Sequence, residues 1–352
     1  EHLSFSDFDG VGILQQTVGK CRLSVVDMCN DAEVSNMLHY ILGVLISAYR
    51  DFEERIELVS DKKSAKQMVK EAIKLKLGKI NRSQTEYIRI GGKGINVSFI
   101  LKELNIPSTQ VICTAGFTGD EIKQQLNNHN LNYIDIKVEG FNRINVKVLS
   151  QEETAINGNS LILNINHIEN IIEKLNQLDE NDMLVISGSV PSSLNLNAYE
   201  YILNKIDTKK IKVIVDTEKE LLSTLKYHPY LIKPNLDELE KAVNKKLETI
   251  DDIYCAACSL IEQGAKNALV SLGDKGLIYV NSNLEYIYKD AKETIVVDTT
   301  GAGDSLLAGF IGGLELGYDI NKSLDLGLAC ATATVGNVGL GDIVQINKLL
   351  KK

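Results

Sequence analysis

The feature that most constrains the fold of this chain is a regular alternation of short β-branched runs with amphipathic helical stretches. From about Tyr133 onward, four runs have the length and composition of buried strands: residues 183–187, 212–216, 230–233 and 268–271. Apolar residues recur at helical spacing in the stretches beside them: residues 167–178, 196–206, 236–243 and 253–262. Parallel strands joined by helices are covered on both faces, so the alternation predicts a three-layer α/β/α fold with a mostly parallel central sheet.

Two other regions, about residues 79–90 and 133–149, have a different pattern. They contain stretches in which apolar and polar residues alternate, as in a sheet with one face in water. We interpret them as the strands of a small β lid over a cleft.

The charge balance limits the classes of ligand. The 352 residues include 38 Lys and Arg against 47 Asp and Glu, a formal charge of −9. The mean field of such a chain repels phosphate, which argues against a general binder of nucleic acid or of anionic membranes. Any phosphate must therefore be held by a local site.

The sequence also predicts a cytoplasmic location. No apolar run approaches the roughly 20 residues of a membrane span, and no secretory signal pattern opens the sequence. The six cysteines include one Cys-x-x-C pair, Cys255 and Cys258, in a stretch with a helical pattern. Because no second pair or nearby histidine completes four metal ligands, we expect these cysteines to pack in the core of a protein from a reducing compartment.

The most informative segment for chemistry lies at residues 297–305. Gly301, Ala302 and Gly303 are small enough for backbone N–H groups to converge on one point, and the helix that follows directs its positive dipole end there. Asp304 stands in the first helical turn, where a carboxylate could accept the proton of an attacking hydroxyl. The segment therefore predicts an anion hole beside a base. A plain glycine-rich turn, in which Asp304 only favours the helix N-terminus, is the alternative.

A second glycine-rich turn opens a helix at residues 90–98. Gly92 allows a ligand to approach the backbone, Lys93 supplies a point charge and Asn96 an amide. This combination suits a phosphorylated sugar. The alternative is a tight turn that carries a solvated lysine.

These two segments resemble the N-terminal and C-terminal signatures of the PfkB family of carbohydrate kinases. Three segments between them also resemble family motifs, in the family's order: residues 187–191, 231–239 and 271–276. The resemblance runs from Leu77 to the end of the chain. It implies a ribokinase-like fold, with ATP and Mg²⁺ as cofactors.

The resemblance also implies roles for individual residues. Asp304 is the implied base, and Gly301, Ala302 and Gly303 form the implied anion hole. The implied holders of the sugar phosphate are Gly92, Lys93, Asn96 and Arg143. The implied nucleotide contacts are Lys233, Ser271, Gly273 and Gly276, and Asn235 and Glu238 position magnesium through water. Three of these residues also have a structural interpretation that stays open. Arg143 would be a solvated charge on a strand, Lys233 a charge at the end of a strand, and Glu238 part of a helix capping box.

Residues 76–83, 116–119 and 143–147 resemble the hexose-phosphate branch of the family, most of all its 1-phosphofructokinase group. That implies transfer of the γ-phosphate of ATP to fructose 1-phosphate, giving fructose 1,6-bisphosphate. Tagatose 6-phosphate is open as the acceptor, and so is an inactive relic that only binds a sugar phosphate or a nucleotide. The implied partners are these small molecules, without nucleic acid or membrane, and a homodimer through the accessory sheet is open.

The first 76 residues do not follow the family pattern. Members of this branch usually begin with a strand and an Asn-Pro-Ala-x-Asp segment, expected about twenty residues before Lys79. Residues 57–66 contain no Asn-Pro, and residues 55–61 make a poor strand. We therefore divide the chain into residues 1–76, a possible fusion or remnant, and residues 77–352, the kinase domain. The Asp-x-Asp-Gly pattern at residues 7–10 resembles a metal-binding turn, but a fragment or an ordinary loop is the favoured interpretation.

Overall fold

The structure is a computed structural model that describes residues 23–27, 31–32, 80–81, 83, 86–149, 153–159, 161–191, 193–194, 196–217 and 219–351. The strands in chain order are β1 (Leu23–Asp27), β2 (Asp31–Ala32), β3 (Ile90–Gly91), β4 (Ser108–Thr114), β5 (Asn132–Lys137), β6 (Arg143–Leu149), β7 (Glu153–Asn157), β8 (Met183–Ser187), β9 (Lys212–Asp216), β10 (Leu231–Ile232), β11 (Ala268–Ser271), β12 (Leu277–Val280) and β13 (Tyr286–Lys289). The helices are α1 (Lys93–Glu103), α2 (Gly116–Asn128), α3 (Ile165–Leu175), α4 (Ala198–Lys205), α5 (Leu221–Thr224), α6 (Leu236–Val243), α7 (Ile250–Glu262), α8 (Ala302–Glu315), α9 (Ile320–Val335) and α10 (Ile343–Leu350).

The central sheet confirms the predicted α/β architecture. Its strand order is β13-β12-β11-β10-β9-β8-β1-β4-β5, and the strands from β11 to β5 pair in parallel. Strands β12 and β13 continue the sheet as an antiparallel edge. The four predicted buried runs form strands β8, β9, β10 and β11.

Two layers of helices cover the sheet because its strands present apolar side chains to both faces. In β8, Leu184 and Ile186 join the core under α3, α4 and α7, while Met183 and Val185 join the core under α1, α8 and α9. All four side chains are at most 1% exposed. A run that is apolar on both faces is typical of a central parallel strand, which explains why β8 lacks the alternation of a half-exposed strand.

The strand that the sequence analysis considered missing is supplied from nearer the N-terminus. Strand β1 lies between β4 and β8 and pairs in parallel with both, with Val25 opposite Gln110 on one side and Val185 on the other. A domain boundary at residue 77 therefore leaves one strand of the central sheet on the N-terminal side of that boundary. Residues 7–10 and 55–61, to which other predictions were attached, lie outside the described residues.

The lid is a separate four-stranded sheet with the order β3-β2-β6-β7. Within the region predicted as lid from 79 to 90, the described residues 86–89 are not strand, and β3 begins only at Ile90. The region from 133 to 149 divides between two sheets, because β5 pairs with β4 in the central sheet and only β6 joins the lid. A hairpin partner of β6, strand β7, was not predicted.

Two smaller expectations can also be compared with the structure. Cys258 is buried on α7 as expected, but its neighbour Cys255 is exposed. In the part of the chain that the structure describes, no helix combines the length and apolar character that crossing a bilayer requires.

Candidate active site

The predicted site residues converge at the carboxyl ends of β9, β10 and β11, between the N-termini of α1 and α8. Ligands of parallel α/β sheets bind at this edge, where strands end and helices begin. The fold therefore brings the two glycine-rich turns, more than two hundred residues apart in sequence, to one place.

The turn before α8 has the geometry of an anion hole. Gly301 is the N-cap of α8 with a φ of +79°, a left-handed conformation that other residues adopt only with strain. The first turn of a helix has no intrahelical acceptors for its N–H groups. The N–H of Ala302 donates to Thr299 O at 3.3 Å, and those of Gly303 and Asp304 have no acceptor among the described residues. These groups are available to the oxygens of a phosphoryl group.

Asp304 is buried beside this turn. Its side chain is 7% exposed, and its Oδ2 accepts a hydrogen bond of 2.8 Å from Asn96 Nδ2 on α1. Burial and the negative charge of Asp216 raise the pKa of Asp304 to about 6, although the Asn96 bond and nearby lysines oppose the rise. At neutral pH the group is an ionised carboxylate that can accept a proton.

The turn before α1 places Lys93 in an ion pair rather than in solvent. Gly92 is the N-cap of α1 with a φ of +136°. The Nζ of Lys93 lies 3.0 Å from Asp216 Oδ1 and 3.9 Å from Glu238 Oε1. Burial opposes the charge, but the surrounding carboxylates outweigh it and hold the pKa of Lys93 above its ordinary value. Lys93 is therefore an ion-paired and partly exposed lysine.

Asp216 belongs to the site but was not predicted. It ends β9, is fully buried, and its Oδ1 also lies 3.3 Å from the Nζ of Lys233. Burial alone would raise the pKa of Asp216, but the two lysines hold it below its ordinary value. One signal was available in the sequence: an acidic residue at the carboxyl end of a predicted buried strand, the edge at which ligands bind.

Lys233 is a buried cation next to the anion hole. It follows β10 and is 4% exposed, so it is not an ordinary strand-end charge. A Cβ atom added to Gly303 would lie 3.4 Å from its Nζ. Glycine at 303 thus allows the ammonium group to lie close to the backbone N–H groups of the α8 turn.

Asn235 and Glu238 form the capping box that was one of the two interpretations of this pair. Asn235 Oδ1 accepts from the N–H of Glu238, and Glu238 Oε2 accepts from the N–H of Asn235, both at 2.8 Å. Both of these oxygens accept backbone N–H groups at the N-terminus of α6. Glu238 Oε1 is the carboxylate oxygen that remains, and it lies toward Lys93.

The predicted nucleotide residues lie one strand further along the same edge. Ser271 ends β11, and its N–H donates to Pro234 O at 3.1 Å, so this segment is adjacent to the Asn235 turn. Gly273 has open space around its α-carbon. Gly276 has a structural reason to be glycine, because a Cβ there would lie 2.0 Å from Lys289 O.

Arg143 lies on the lid strand β6, separated from Gly91 only by β2. Asp31 of β2 is in register with Gly91 on one side and with Arg143 on the other. Residues two apart on a strand share a face, and Lys147, on the same face as Arg143, contacts Thr300 Oγ1 beside the anion hole. The face that carries Arg143 is therefore the one directed to the site. Arg89, directly before β3, forms an ion pair with Asp298 at 3.3 Å.

Comparison with known proteins agrees with this geometry. A model of the pfkB family of carbohydrate kinases matches residues 65–347. The 1-phosphofructokinase of Borreliella burgdorferi is 37% identical over 262 residues, which cover 74% of this chain and 85% of that protein. The D-tagatose-1-phosphate kinase of Bacillus licheniformis is 34% identical over 272 residues, or 76% of this chain and 89% of that protein.

A solved structure shows the same fold. Phosphofructokinase-2 from Escherichia coli, crystallised with fructose-6-phosphate, superposes with a TM-score of 0.74 over 94% of this chain and 98% of that one, at 21% identity. The family match, the relatives and the arrangement of the five motifs around one sheet edge agree. This chain belongs to the pfkB family of carbohydrate kinases.

Proposed function

We propose that this chain transfers the γ-phosphate of ATP to a hydroxyl of fructose 1-phosphate, which gives fructose 1,6-bisphosphate. The observation that carries the proposal is a buried carboxylate, Asp304, one residue beyond a turn of free backbone N–H groups and close to a buried lysine. A base, an anion hole and a cation are the elements that phosphoryl transfer requires, because catalysis of this reaction is mostly positioning and charge stabilisation.

In the proposed reaction Asp304 accepts the proton of the acceptor hydroxyl as its oxygen bonds to the γ-phosphorus. The bond between that phosphorus and the bridging oxygen breaks, and ADP leaves with the electron pair. The turn of Gly301, Ala302 and Gly303 presents the N–H groups of Gly303 and Asp304, which have no acceptor among the described residues. With the ammonium of Lys233, they stabilise the charge on the moving phosphoryl oxygens.

The acceptor is held from the opposite side. Lys93 and the guanidinium of Arg143 are the proposed partners of the sugar's own phosphate, since a planar guanidinium suits bidentate contact with phosphate. Gly92 lets the ligand approach the backbone, and Asn96 holds Asp304 in place. Ser271, Gly273 and Gly276 form the proposed nucleotide side.

The residues present fit a hydrated magnesium ion. Magnesium usually keeps several waters and binds through one or two carboxylates and the substrate phosphates. Among the described residues there is no cluster of three potential metal ligands, and the capping box leaves Glu238 Oε1 free of helix contacts. Glu238, with Asn235 fixing its position, would hold the ion through water, and the bound ion would neutralise charge on the phosphates.

The acceptor could also be a tagatose phosphate. The relative from Bacillus licheniformis is named for D-tagatose-1-phosphate, and tagatose differs from fructose only in the configuration at C4. The sequence analysis had left tagatose 6-phosphate open.

An ADP-release assay with each of four acceptors tests the substrate: fructose 1-phosphate, tagatose 1-phosphate, tagatose 6-phosphate and fructose 6-phosphate. We expect the highest kcat/KM with fructose 1-phosphate. A higher value with either tagatose phosphate would reassign the acceptor. Absence of turnover with all four sugars, in a chain that still binds ATP, would instead support the inactive relic.

We also propose a homodimer through the outer face of the lid, in the cytoplasm. Val146 and Ile156 are cross-strand neighbours on β6 and β7 and are 46% and 62% exposed, on the face opposite Arg143 and Lys147. Paired apolar side chains on an exposed sheet face are typical of an interface. In light scattering we expect twice the chain mass for the wild type and the chain mass for Val146→Lys; a monomeric wild type would exclude the dimer.

A further inference from the structure

One buried carboxylate, Asp216, joins ammonium groups from two distant parts of the chain. Lys93 reaches it from the turn before α1, and Lys233 reaches it from the end of β10, and both contact the same oxygen, Oδ1. Lys93 belongs to the proposed acceptor side, whereas Lys233 lies beside the anion hole for the donor phosphoryl group. The two sides of the reaction meet at one atom.

Stability alone does not account for this arrangement. Asp216 is fully buried, and its second oxygen, Oδ2, has no hydrogen-bond partner in the described part of the chain. The desolvation of buried ion pairs often costs as much as their attraction returns, so a buried pair is weak evidence of a stabilising role. An incompletely bonded carboxylate at the substrate edge of the sheet therefore calls for a functional reason.

Asp216 is also the most rigidly held of the three groups. Its backbone is in register with Ser187 on the neighbouring strand, and the N–H of Lys233 donates to Val215 O at 2.9 Å. A lysine ammonium, by contrast, sits at the end of a flexible four-carbon stem. The carboxylate can therefore fix both ammonium groups relative to the sheet.

We propose that Asp216 is a positioning residue that sets the separation between the acceptor-side ammonium of Lys93 and the donor-side ammonium of Lys233. The inference rests on the proposed function, because the two lysines have these roles only in a kinase that brings a sugar phosphate to ATP. Phosphoryl transfer requires the acceptor oxygen and the γ-phosphorus in line, and a misplacement of about 1 Å can cost about a hundredfold in rate.

The kinetic consequence differs from that of a merely structural residue. Without the charge of Asp216, both ammonium groups remain in a site that receives two polyanions, so ground-state binding of the substrates does not weaken. Alignment in the transition state is lost. The expected result is a fall in kcat without a rise in either KM, whereas a disorganised site would raise both KM values.

The test compares Asp216→Asn with the matched control Asp182→Asn. Asp182 is also buried, at 4% exposure, but it precedes β8 at the other end of the sheet, where it accepts the N–H of Asp179 at 2.8 Å. We expect kcat of Asp216→Asn to fall about a hundredfold, with the KM values for ATP and fructose 1-phosphate unchanged or lower. The control should keep wild-type kinetics while losing thermal stability.

A second variant keeps the inference testable if Asp216→Asn does not fold. Asp216→Glu retains the charge but moves it by one methylene, and we expect about a tenfold loss of kcat at unchanged KM, because position and not charge alone is decisive. Unchanged kcat in the folded variants, or a rise in both KM values, would overturn the inference. A wild-type chain without turnover would overturn the proposed function instead, so the two failures are distinguishable.

Discussion

At the scale of single residues, Asp304 makes the pH dependence of the reaction predictable. The base function proposed for Asp304 requires the ionised carboxylate, and burial raises the pKa of Asp304 to about 6. Because protonation removes the base, kcat/KM should fall as the pH drops through about 6. Asn96→Leu removes a hydrogen bond that favours the ionised form, so in this variant kcat/KM should begin to fall at a higher pH. A fall of the wild-type kcat/KM only near pH 4, where an ordinary carboxyl titrates, would contradict this role of Asp304.

The candidate site residues that could be predicted from the sequence are those that lie in recognisable local motifs. Asp304 and Lys93 stand in glycine-rich turns at helix starts, and the structure brings both to one sheet edge. Asp216 was not predicted because its environment consists of contacts between distant parts of the chain. Its partner Lys93 is 123 residues away in the sequence. The capping box at Asn235 and Glu238 was visible in the sequence as an alternative, since both of its bonds span three residues.

At the scale of secondary-structure elements, the start of α8 is the proposed anion hole, and Gly301 is its N-cap. Gly301→Ala forces an L-residue into a φ of +79°, at a cost of about 1–2 kcal/mol, and brings its Cβ to 2.7 Å from Leu340 Cδ2. We expect a lower melting temperature and a fall in kcat of at least tenfold. Gly317→Ala is the matched control, because Gly317 follows α8 at a φ of +75° with open space around it. An equal, small loss of activity in both variants would contradict the role proposed for Gly301.

Helices and strands could be predicted where apolar residues recurred with one regular spacing. The buried strands β8 to β11 and the helices between them could be predicted from their composition and from the spacing of apolar residues. Strand β1 could not be predicted, because its five residues lie in a part of the chain without the alternation of strands and helices. Its position is defined by pairing in the sheet rather than by the local sequence. The lid was only partly predictable: the alternating pattern of β5 fits a half-exposed edge strand of the central sheet equally well.

At the scale of the whole molecule, β1 decides whether the kinase domain is complete without the first 76 residues. It occupies the middle of the sheet, between β4 and β8, so its loss would leave two strands with unpaired backbone groups. Val25→Pro removes a ladder hydrogen bond in this strand and should lower the melting temperature strongly or prevent folding. Val25→Ala keeps the N–H group and should lower the melting temperature less than Val25→Pro does. Equal stability of the two variants, measured by thermal unfolding, would exclude β1 from the sheet.

The overall charge is consistent with a local phosphate site rather than a general one. A chain of formal charge −9 must concentrate its cations where phosphate binds, and Lys93 and Lys233 share one buried carboxylate at the sheet edge. The proposed reaction depends on one chemical step, the transfer of the acceptor's proton to Asp304 as the phosphoryl group moves into the anion hole.

The turnover of Asp304→Asn with ATP and fructose 1-phosphate, measured together with its affinity for ATP, tests that step most directly. Asparagine nearly preserves the shape of the side chain but cannot accept the proton, so kcat should fall by about 10²–10⁴-fold while the Kd for ATP changes little. A variant that retains wild-type turnover would show that Asp304 is not the base.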